Sequence, residues 1–473
     1  MRRTKIVCTL GPASERVEVL REMIRAGMDV ARLNFSHGNH GEHINRIRAV
    51  REASKLENKA VAVMLDIKGP EVRVGEIEGD KIQLVKGQRI ALTSRKCLGT
   101  AERISTTYEN LPRDVRPGNT ILLDDGIITL EVLRVFEDEV LCRVSNDGEL
   151  GSHKGINVPG VDLSTPVVTE GDREDIILGI KEGVSFIAAS FVKKDKDILE
   201  ISSILREYDC QRHIQLIAKI EDWSGVQNIE NILSVAGGVM VARGDLGVEI
   251  PPEEVPLIQK KLIKKCNRWG KPVITATHML DSMERNPIPT RAEISDVANA
   301  IFDGTDAIML SGESAMGKYP VEAVKTMARL ALRTERALNY RDILLQKQAD
   351  LSRTITDAIS HATCTIAMDL EADAILTPTA SGFTARKVSK YRPLAPIIAL
   401  SPNRDTLLHL SLVWGVHPME VPFMQGTDAM LDIGVKAARE KGIIKRGDLV
   451  ILTAGIPMGT PGTTNLLKVH LVN

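Results

Sequence analysis

Two short stretches of the chain join apolar strand sequence to charged side chains. The apolar run Ile214–Ala218 leads into Lys219 and Glu221, which share one face because side chains alternate along a strand. A second apolar run, at 238–242, is followed closely by Asp245. Buried charge costs free energy unless it is paired or bound to a metal. A structural salt bridge between Lys219 and Glu221 explains one such pair, whereas two strands that both end in carboxylates favour a metal site that handles an anion.

The composition is that of a soluble globular chain with a substantial core. Its 473 residues correspond to roughly three domains, and 43% of them are hydrophobic and 26% charged. The net charge of −1 argues against nucleic acid or an acidic membrane surface as the main partner. No segment has the apolar length of a membrane helix, and the opening MRRTKIVCTLGP has too short an apolar run for a signal peptide. We therefore expect a cytoplasmic protein without membrane contact.

The cysteines are scattered along the chain and none occurs in a CxxC pair. This distribution predicts buried thiols in a reducing compartment and argues against a disulfide framework or a zinc site. The six residues are Cys8, Cys97, Cys142, Cys210, Cys266 and Cys364.

Short apolar strands alternate with helical patterns over most of the chain, and Thr290 with Glu293 has the capping-box spacing of a helix start. The strands are expected at Lys5–Leu10, Asp29–Phe35, Ala60–Leu65, Phe186–Phe191, Ile214–Ile220, Gly238–Ala242, Pro272–Thr277 and Asp306–Leu310. This number of strands with crossovers predicts an α/β fold of the (β/α)8 TIM-barrel type, with a doubly wound open sheet as the competing fold. In such barrels the carboxyl ends of the strands carry the chemistry. The polar residues expected there are Arg32, Asn34, Asp66, Lys219, Glu221, Asp245 and Thr277.

Two further units interrupt and follow the alternating pattern. From about residue 71 the sequence changes to short β-rich pieces separated by turns such as Asp124-Asp125-Gly126, which predicts an all-β lid domain inserted after the third barrel strand. A third α/β unit follows the barrel, with strands expected at Ala374–Leu376, Ile397–Leu400, Glu420–Pro422 and Leu449–Thr453. The predicted division is barrel at 1–70 and 163–345, lid at 71–162 and C-terminal domain at 346–473.

Ten segments of the sequence, in order, resemble those of the pyruvate kinase family and cover essentially the whole chain. They are KIVCTLGPAS, ARLNFSHG, DIKGPEVR, KGINVPG, ASFV, KIED, VARGDLGVE, ATHMLDSM, PTRAEISDVANAIFDGTDAIMLSGESAMGKYP and VSKYRP. The resemblance implies a glycolytic phosphotransferase that moves the phosphoryl group of phosphoenolpyruvate to ADP and yields pyruvate and ATP. It also implies a C-terminal regulatory domain, a homotetramer and a phosphorylated allosteric effector.

The resemblance also implies roles for the residues at the barrel mouth. Glu221 and Asp245 would hold Mg²⁺ or Mn²⁺, Lys219 would stabilise the transferring phosphoryl group, and Arg32 would bind the substrate phosphate. The substrate carboxylate would lie at Gly244, Asp245 and Thr277, with Thr277 among the catalytic residues. The residues matched to the nucleotide site are Asn34, Ser36, His37, Arg73 and Lys154.

A monovalent cation, K⁺, is implied as well. Its oxygen ligands would come from Asn34, Ser36, Asp66 and Ile67. Glu71 occupies the position where potassium-dependent members carry glutamate, and its charge is expected to need a cation nearby. The chain departs from the family pattern at Ile67, which usually is threonine, at Asp222, which usually is asparagine, and at His278, which usually is glutamine. None of these changes removes a predicted Mg²⁺ ligand or Lys219.

The loop before the helix that carries Arg386 and Lys387 has two interpretations. Hydroxyls and backbone donors there form a phosphate cradle, or else the loop is an ordinary capped helix start, which spacing alone favours. The resemblance assigns an effector site to Thr377, Thr379, Ser381, Gly382 and Thr384. Phe383 interrupts the Ser/Thr run of sugar-bisphosphate-activated members and leaves the effector open. Two alternative functions remain: a metal-dependent lyase acting on pyruvate enolate, which would not need the lid, and a non-catalytic sensor, which would be expected to lose Lys219.

Overall fold

The computed structural model describes residues 1–208, 214–349, 351–424, 426–457 and 462–473. The chain begins with β1 (Lys5–Thr9), α1 (Val17–Ala26), β2 (Val30–Asn34), α2 (His40–Leu56) and β3 (Ala62–Asp66). Helix α1 packs through the apolar face formed by Leu20, Met23 and Ile24, and it ends at Gly27, whose φ of +134° an L residue rarely adopts. These elements follow the alternation that the sequence predicts.

A mostly β unit follows β3, as the change in sequence pattern predicts. Its elements are β4 (Lys81–Leu84), β5 (Arg89–Thr93), β6 (Arg103–Ser105), α3 (Leu111–Asp114), β7 (Thr120–Leu123), β8 (Ile128–Val135), β9 (Glu139–Val144), β10 (Gly148–Gly151) and β11 (Ile156–Asn157). Six strands form a sheet in the order β11-β7-β8-β9-β5-β6, and β10 pairs with β4. The unit has its own apolar core, so it packs as a separate body inserted in the barrel sequence.

The remaining barrel elements return to helix–strand alternation. They are α4 (Glu170–Glu182), β12 (Phe186–Ala189), α5 (Asp195–Tyr208), β13 (Gln215–Ile220), α6 (Trp223–Gln227), α7 (Ile229–Val235), β14 (Gly238–Ala242), α8 (Arg243–Glu249), α9 (Val255–Trp269), β15 (Val273–Ala276), α10 (Arg291–Asp303), β16 (Ala307–Leu310), α11 (Gly312–Ala315) and α12 (Pro320–Glu335). The strands close in the order β1-β16-β15-β14-β13-β12-β3-β2, and every pair is parallel. The predicted (β/α)8 barrel is confirmed, and the doubly wound sheet is excluded because the sheet closes.

Local sequence signals explain where several barrel helices begin. The side chain of Thr290 accepts a hydrogen bond from the Glu293 amide, and Glu293 in turn accepts one from the Thr290 amide, so the capping box predicted before α10 is confirmed. Helix α4 begins in the same way at Thr169 and Asp172, which the sequence reading did not single out. Asp222, the departure noted next to Glu221, accepts a hydrogen bond from Gly225 at 2.7 Å and caps α6.

The C-terminal unit is a five-stranded sheet with helices. Its elements are α13 (Tyr340–Gln348), α14 (Ile355–Asp369), β17 (Ala374–Pro378), α15 (Phe383–Ser389), β18 (Ile397–Ser401), α16 (Arg404–Leu410), β19 (Val416–Glu420), α17 (Gly426–Glu440), β20 (Leu449–Ala454) and β21 (Leu466–Leu471). The strand order is β19-β18-β17-β20-β21, parallel except for the antiparallel β21. The strand predicted at Glu420–Pro422 is wrong, since β19 ends at Glu420. As an edge strand, β19 tolerates Pro418, whose missing N–H a central ladder would need.

This C-terminal unit contacts the amino-terminal ends of the barrel strands, opposite to the predicted site. Arg392 lies 3.0 Å from the carboxylate of Asp306 just before β16, and the Lys5 ammonium at the start of β1 donates to the Val416 carbonyl at 2.5 Å. A ligand bound to the C-terminal unit would therefore be separated from the barrel mouth by the length of the barrel.

Cys8, Cys142, Cys266 and Cys364 are buried free thiols as predicted, whereas Cys97 is only partly buried. Burial raises the pKa of the Cys142 thiol to about 12, so this group stays protonated at neutral pH. The prediction for Cys210 falls outside the described residues. Within the described ranges, no helix has both the length and the apolar character needed to cross a membrane.

Candidate active site

Arg32 and Asp66 form a buried ion pair at the carboxyl ends of β2 and β3. These strands are adjacent and in register, so Asn34 lies beside Asp66 and the Arg32 side chain reaches its carboxylate. Arg32 Nε donates to Asp66 Oδ2 at 2.7 Å, and Nη1 donates to the Thr9 hydroxyl at 2.8 Å. Two anchors on separate strands hold the guanidinium in one orientation, which suits a group that must meet a phosphate in a fixed geometry.

The Lys219 ammonium lies between the carboxylate of Glu221, which directly follows its own strand β13, and that of Asp66 at the end of β3. Nζ is 2.9 Å from Glu221 Oε1 and 3.3 Å from Asp66 Oδ1, and it donates a hydrogen bond to Ser190 Oγ at 2.7 Å. Burial alone lowers the pKa of Lys219, but Asp66 and Glu221 outweigh it and hold the pKa above its usual value. Lys219 therefore remains a cation at any physiological pH. The salt bridge predicted from the sequence exists, and Asp66 extends it to β3.

Glu221 is almost fully buried and is held by a strained backbone segment. The Phe191 amide donates to Glu221 Oε2 at 2.6 Å, and Phe191 has a φ of +55°, a conformation that few non-glycine residues adopt. Burial raises the pKa of Glu221 and the negative charge of Asp245 raises it further, while Lys219 acts in the opposite direction. Such an acid is suited to bind a cation. The positive charge would stabilise the ionised carboxylate against both the cost of burial and the repulsion from Asp245.

Thr277 and Gly244 bring the ends of β15 and β14 together. Thr277 Oγ1 accepts from the Gly244 amide at 2.8 Å and donates to the Ala276 carbonyl at 2.7 Å. Thr277 and His278 have φ values of +65° and +53°, and a β-branched residue in this region is a conformational outlier. Backbone strain of this kind is often found at functional sites. Asp245, in the first turn of α8, is exposed.

A polar cleft of about 260 Å³ separates the inserted unit from the barrel mouth. The inserted unit contributes Arg73, Asp124, Asp125 and Lys154 to its walls, and the barrel contributes Phe191, Lys193, Asp222, Asp245 and Glu249. Lys154 lies 2.9 Å from Asp124, so its charge is already partly balanced. The predicted nucleotide residues Arg73 and Lys154 thus face the predicted metal ligand Asp245 across one opening.

Glu71 does not depend on an added cation for its charge in this conformation. Its Oε2 lies 2.6 Å from Arg73 Nη2 and 3.7 Å from the Lys68 ammonium. Arg73 also donates to the His153 carbonyl at 2.8 Å. Two side chains of the protein therefore balance the Glu71 charge in this arrangement, and the need for K⁺ stays a prediction.

The residues predicted for K⁺ offer oxygens that suit a cation. Asp66 Oδ1 is buried and has no hydrogen-bond partner among the described residues, although Lys219 is within ion-pair distance. Ile67 is 1% exposed with its side chain in the barrel core, so only its carbonyl is available to a ligand. Asn34 Oδ1 accepts from the Ser36 amide at 3.2 Å, and the His37 amide donates to the Asn34 carbonyl at 3.3 Å. This donor set fits an oxygen-coordinated cation.

No cluster of three or more His, Cys, Asp or Glu side chains arranged to hold a metal occurs within the described ranges. This finding is compatible with Mg²⁺, which commonly takes one or two protein carboxylates and completes its coordination with substrate oxygens and water. Glu221 and Asp245 are the two carboxylates predicted for this role.

Comparison with known proteins decides the family. Residues 1–324 match the family described as pyruvate kinase, barrel domain, and residues 357–470 match pyruvate kinase, alpha/beta domain. The chain belongs to the pyruvate kinase family. It is 57% identical to the pyruvate kinase of Geobacillus stearothermophilus over all of this chain and 81% of that protein, and 50% identical to that of Clostridium acetobutylicum over the full length of both. The crystal structure of a pyruvate kinase from Cryptosporidium parvum superposes with a TM-score of 0.95 at 38% identity, covering 100% of this chain and 96% of that one.

Membership of the pyruvate kinase family makes the chain a phosphotransferase with a TIM barrel, as the resemblance implied. The lyase and the non-catalytic sensor are set aside, since relatives at 50–57% identity over the whole chain are pyruvate kinases. The roles of individual residues stay predictions that rest on the geometry above.

The residues assigned to the effector site lie far from the barrel mouth, in the C-terminal unit. Thr377 Oγ1 donates to the Ile398 carbonyl, and the Thr384 hydroxyl bonds with that of Thr464, so both hydroxyls have partners within the protein. Thr379 and Ser381 line a cavity of about 90 Å³ with apolar walls. Those walls include Phe383, Phe423, Met424 and Met430. Gly382, with a φ of +77°, lies at the start of α15.

Ser190 and Phe191 are site residues that the sequence reading missed. Both were assigned to the last two positions of a predicted strand Phe186–Phe191, but β12 ends at Ala189. They are therefore the first residues beyond the strand, at the same edge as Lys219. The segment ASFV belongs to the family resemblance, so the signal was present in the sequence.

Proposed function

We propose that this chain transfers the phosphoryl group of phosphoenolpyruvate to ADP and releases pyruvate and ATP. The observation that carries the proposal is the group formed by Lys219, Asp66 and Glu221 at the carboxyl ends of two barrel strands, β3 and β13, beside a cleft that the inserted unit covers. Such a transfer brings several anionic oxygens together, so catalysis depends on charge neutralisation and alignment. A permanently charged ammonium held by buried carboxylates serves that purpose.

Lys219 and Arg32 would act on the transferring group. Arg32, fixed by Asp66 and Thr9, binds the phosphate of phosphoenolpyruvate and sets its direction. Lys219 stabilises the negative charge that spreads over the phosphoryl oxygens as the bond to the enolate oxygen breaks and the bond to the ADP oxygen forms. Because both cations are held before substrate arrives, little reorganisation is needed during the reaction.

Glu221 and Asp245 would hold Mg²⁺ or Mn²⁺. When bound, the divalent ion supplies positive charge that neutralises phosphate oxygens. The Phe191 amide orients Glu221 so that its carboxylate has one defined direction. At the other end of the substrate, Thr277 and the amides around Gly244 and Asp245 would hold the carboxylate, which requires the Gly244 amide to exchange its bond with Thr277 for one with the substrate.

The nucleotide and K⁺ would use the remaining residues of the cleft. Arg73 and Lys154 bind nucleotide phosphates after exchanging their bonds with Glu71 and Asp124. Asn34, Ser36 and His37 complete the nucleotide segment. Oxygens of Asn34, Ser36, Asp66 and Ile67 would hold K⁺, which when bound adds a fixed positive charge near the phosphate. The enolate that is left takes a proton to become pyruvate, and the donor of that proton is open.

The proposal extends to the organisation of the protein. We place the barrel at residues 1–70 and 163–345, the lid at 71–162 and the regulatory domain at 346–473, in a cytoplasmic homotetramer. A phosphorylated effector would bind at Thr379 and Ser381, which line the C-terminal cavity.

Pyruvate formation from phosphoenolpyruvate and ADP tests the proposed reaction. The purified protein is assayed with Mg²⁺, with and without K⁺, at constant ionic strength. Fast turnover that K⁺ stimulates is the expected result. A folded protein that makes no pyruvate, even with sugar phosphates or AMP added, would overturn the proposal.

A further inference from the structure

Ser190 connects two parts of the site that are distant in sequence. Its hydroxyl accepts a hydrogen bond from Lys219 Nζ at 2.7 Å and donates one to the Ile67 carbonyl at 2.7 Å. Ser190 is 7% exposed, so water does not compete freely for either bond. One hydroxyl thus lies between the ammonium assigned to the phosphoryl group and the carbonyl assigned to K⁺.

The direction of both hydrogen bonds follows from the chemistry of the groups. An ammonium only donates and a carbonyl only accepts, so the Ser190 oxygen must accept from Lys219 and its proton must point to Ile67. In such a chain each bond strengthens the next, because a hydroxyl that donates to a good acceptor becomes a better acceptor itself. A change at the Ile67 carbonyl therefore reaches Lys219 through a single atom.

Ser190 supplies the directional contact of Lys219. Glu221 and Asp66 lie 2.9 and 3.3 Å from Nζ, and the hydrogen bond to Ser190 Oγ, at 2.7 Å, is the shortest of these three contacts. Ion pairs attract without fixing an angle, whereas a hydrogen bond weakens steeply when it is bent. Ser190 is also neutral, so it orients the ammonium without reducing its charge.

The surrounding backbone is built to keep Ser190 in this position. Gly69, with a φ of +72°, passes so close that a Cβ there would lie 2.9 Å from the Ser190 Cβ. On the other side, Phe191 adopts its strained conformation and donates to Glu221. Two consecutive residues after β12 thus orient Lys219, near the end of β13, and Glu221, which directly follows that strand.

We propose that Ser190 is a positioning residue that orients Lys219 and couples it to the K⁺ site through the Ile67 carbonyl. A cation held at that carbonyl would draw electron density from its oxygen and would weaken it as an acceptor for the Ser190 proton. Ser190 keeps Lys219 directed at the phosphoryl group, so the hydroxyl that competes with a cation for the Ile67 carbonyl also sets the orientation of the ammonium. The proposal rests on the proposed roles of Lys219 and of K⁺.

Ser190→Ala tests the coupling, with Ser185→Ala as the matched control. Ser185 is also buried, at the opposite end of the same strand, away from Lys219. In Ser190→Ala we expect kcat to fall about 10- to 100-fold, the effect of losing one hydrogen bond to a charged group, with KM for phosphoenolpyruvate within about threefold of the parent value. Ser185→Ala should keep the parent kcat.

A K⁺ titration without turnover gives the second readout. The thermal midpoint is followed against KCl concentration, with tetramethylammonium chloride keeping ionic strength constant. The Ser190→Ala variant should reach half of its K⁺-induced rise in thermal midpoint at a K⁺ concentration at least about threefold lower than the parent protein. The reason is that the Ile67 carbonyl no longer has a hydrogen-bond donor that competes with K⁺. Slower turnover combined with tighter K⁺ binding is a pattern that simple loss of stability does not produce.

The outcomes separate this inference from the proposed function. If Ser190→Ala keeps kcat within twofold of Ser185→Ala, or keeps the parent K⁺ curve, the coupling is wrong while the reaction stands. Parent protein without pyruvate formation would instead overturn the proposed function. If the Ser190→Ala variant unfolds at too low a temperature to be assayed, Ser190→Thr is used instead because it keeps the hydroxyl. This variant should show the same dependence of the thermal midpoint on K⁺ as the parent protein. A shifted K⁺ dependence in Ser190→Thr would reject the proposal.

Discussion

Glu71 and Arg73 form a close ion pair at the edge of the cleft, with Arg73 Nε donating to Glu71 Oε2 at 2.8 Å. Arg73 is also the residue proposed to bind nucleotide phosphates, so it must leave Glu71 when the nucleotide arrives. Glu71 would then lose its nearest partner while more negative charge enters the cleft. The need for an added cation is therefore expected in the complex with nucleotide, not in the free protein.

Replacing Glu71 with lysine should relax the K⁺ requirement. The new ammonium supplies permanent positive charge where Glu71 would otherwise have lost Arg73, its nearest partner, beside the phosphates. Pyruvate formation is measured with and without K⁺ at constant ionic strength. Glu71→Gln is the control, since it removes the negative charge without adding a cation. Retained strict K⁺ dependence in Glu71→Lys would mean that K⁺ serves a purpose other than charge balance.

Lys219→Met should reduce kcat by about 10³-fold, the scale of losing one donor to a developing oxyanion, and leave KM for phosphoenolpyruvate nearly unchanged. Arg32 still pairs with Asp66 in this variant, so substrate binding and part of the charge balance persist. The control is Lys193→Met, which removes a cation from the same cleft whose partner is Asp162 at 2.6 Å. A large rise in KM at unchanged kcat would assign Lys219 to substrate binding instead.

Asp245→Asn should raise the Mg²⁺ concentration for half-maximal activity by more than about tenfold. Changes to residues that only contact a metal ligand already weaken metal binding by about this factor, and Asp245 is proposed to be a ligand itself. Mn²⁺ binding followed by electron paramagnetic resonance gives the same comparison without turnover. Glu249→Gln is the matched control, because Glu249 lines the same cleft but accepts a hydrogen bond from Asn157 at 2.9 Å. Equal Mn²⁺ affinity in both variants would remove Asp245 from the metal site.

The sequence predicts the fold well because the fold depends on features that are visible in sequence. These are the number of strands, the periodicity of the helices and the positions at which polar residues follow apolar runs. Lys219, Glu221 and Asp66 were expected at one end of the barrel. The parallel strands of the closed sheet bring a carboxylate oxygen of Glu221 and one of Asp66 to 2.9 and 3.3 Å from the Lys219 ammonium. Alternation along β13 fixes the shared side of Lys219 and Glu221. These conclusions need no knowledge of backbone detail.

Sequence patterns did not predict features that depend on irregular backbone or on the position of the inserted unit. Ser190 was hidden in a predicted strand because an apolar run gives no sign that Phe191 turns to positive φ. The Glu71–Arg73 pair depends on how the inserted unit meets the barrel, which local patterns do not determine. In the C-terminal sheet, β21 alternates weakly and lies at an edge, so it was missed.

Asp29 offers a test of stability at the opposite end of the barrel. Its Oδ2 accepts from Arg2 at 2.6 Å and from the Ile6 amide at 2.9 Å, and Oδ1 lies 3.3 Å from the Lys59 ammonium. Burial alone raises the pKa of Asp29, but Arg2, Lys59 and Lys5 outweigh it and hold the pKa well below its usual range. The stabilisation is therefore present above the unfolded-state pKa of about 3.9 and is lost as pH falls toward the lower folded value.

Asp29→Asn should consequently destabilise the protein by about 2 kcal/mol at pH 7, because Arg2 and Lys59 remain partly buried without their counter-charge. The difference should narrow as pH falls below about 4, where the unfolded parent chain already binds the proton. Thermal midpoints of parent and variant at pH 7, 5 and 3.5 provide the measurement. Asp369→Asn, which removes a mostly exposed partner of Arg341, should change little at any pH. A gap between parent and Asp29→Asn that stays constant from pH 7 to pH 3.5 would show that the Asp29 charge contributes nothing to stability.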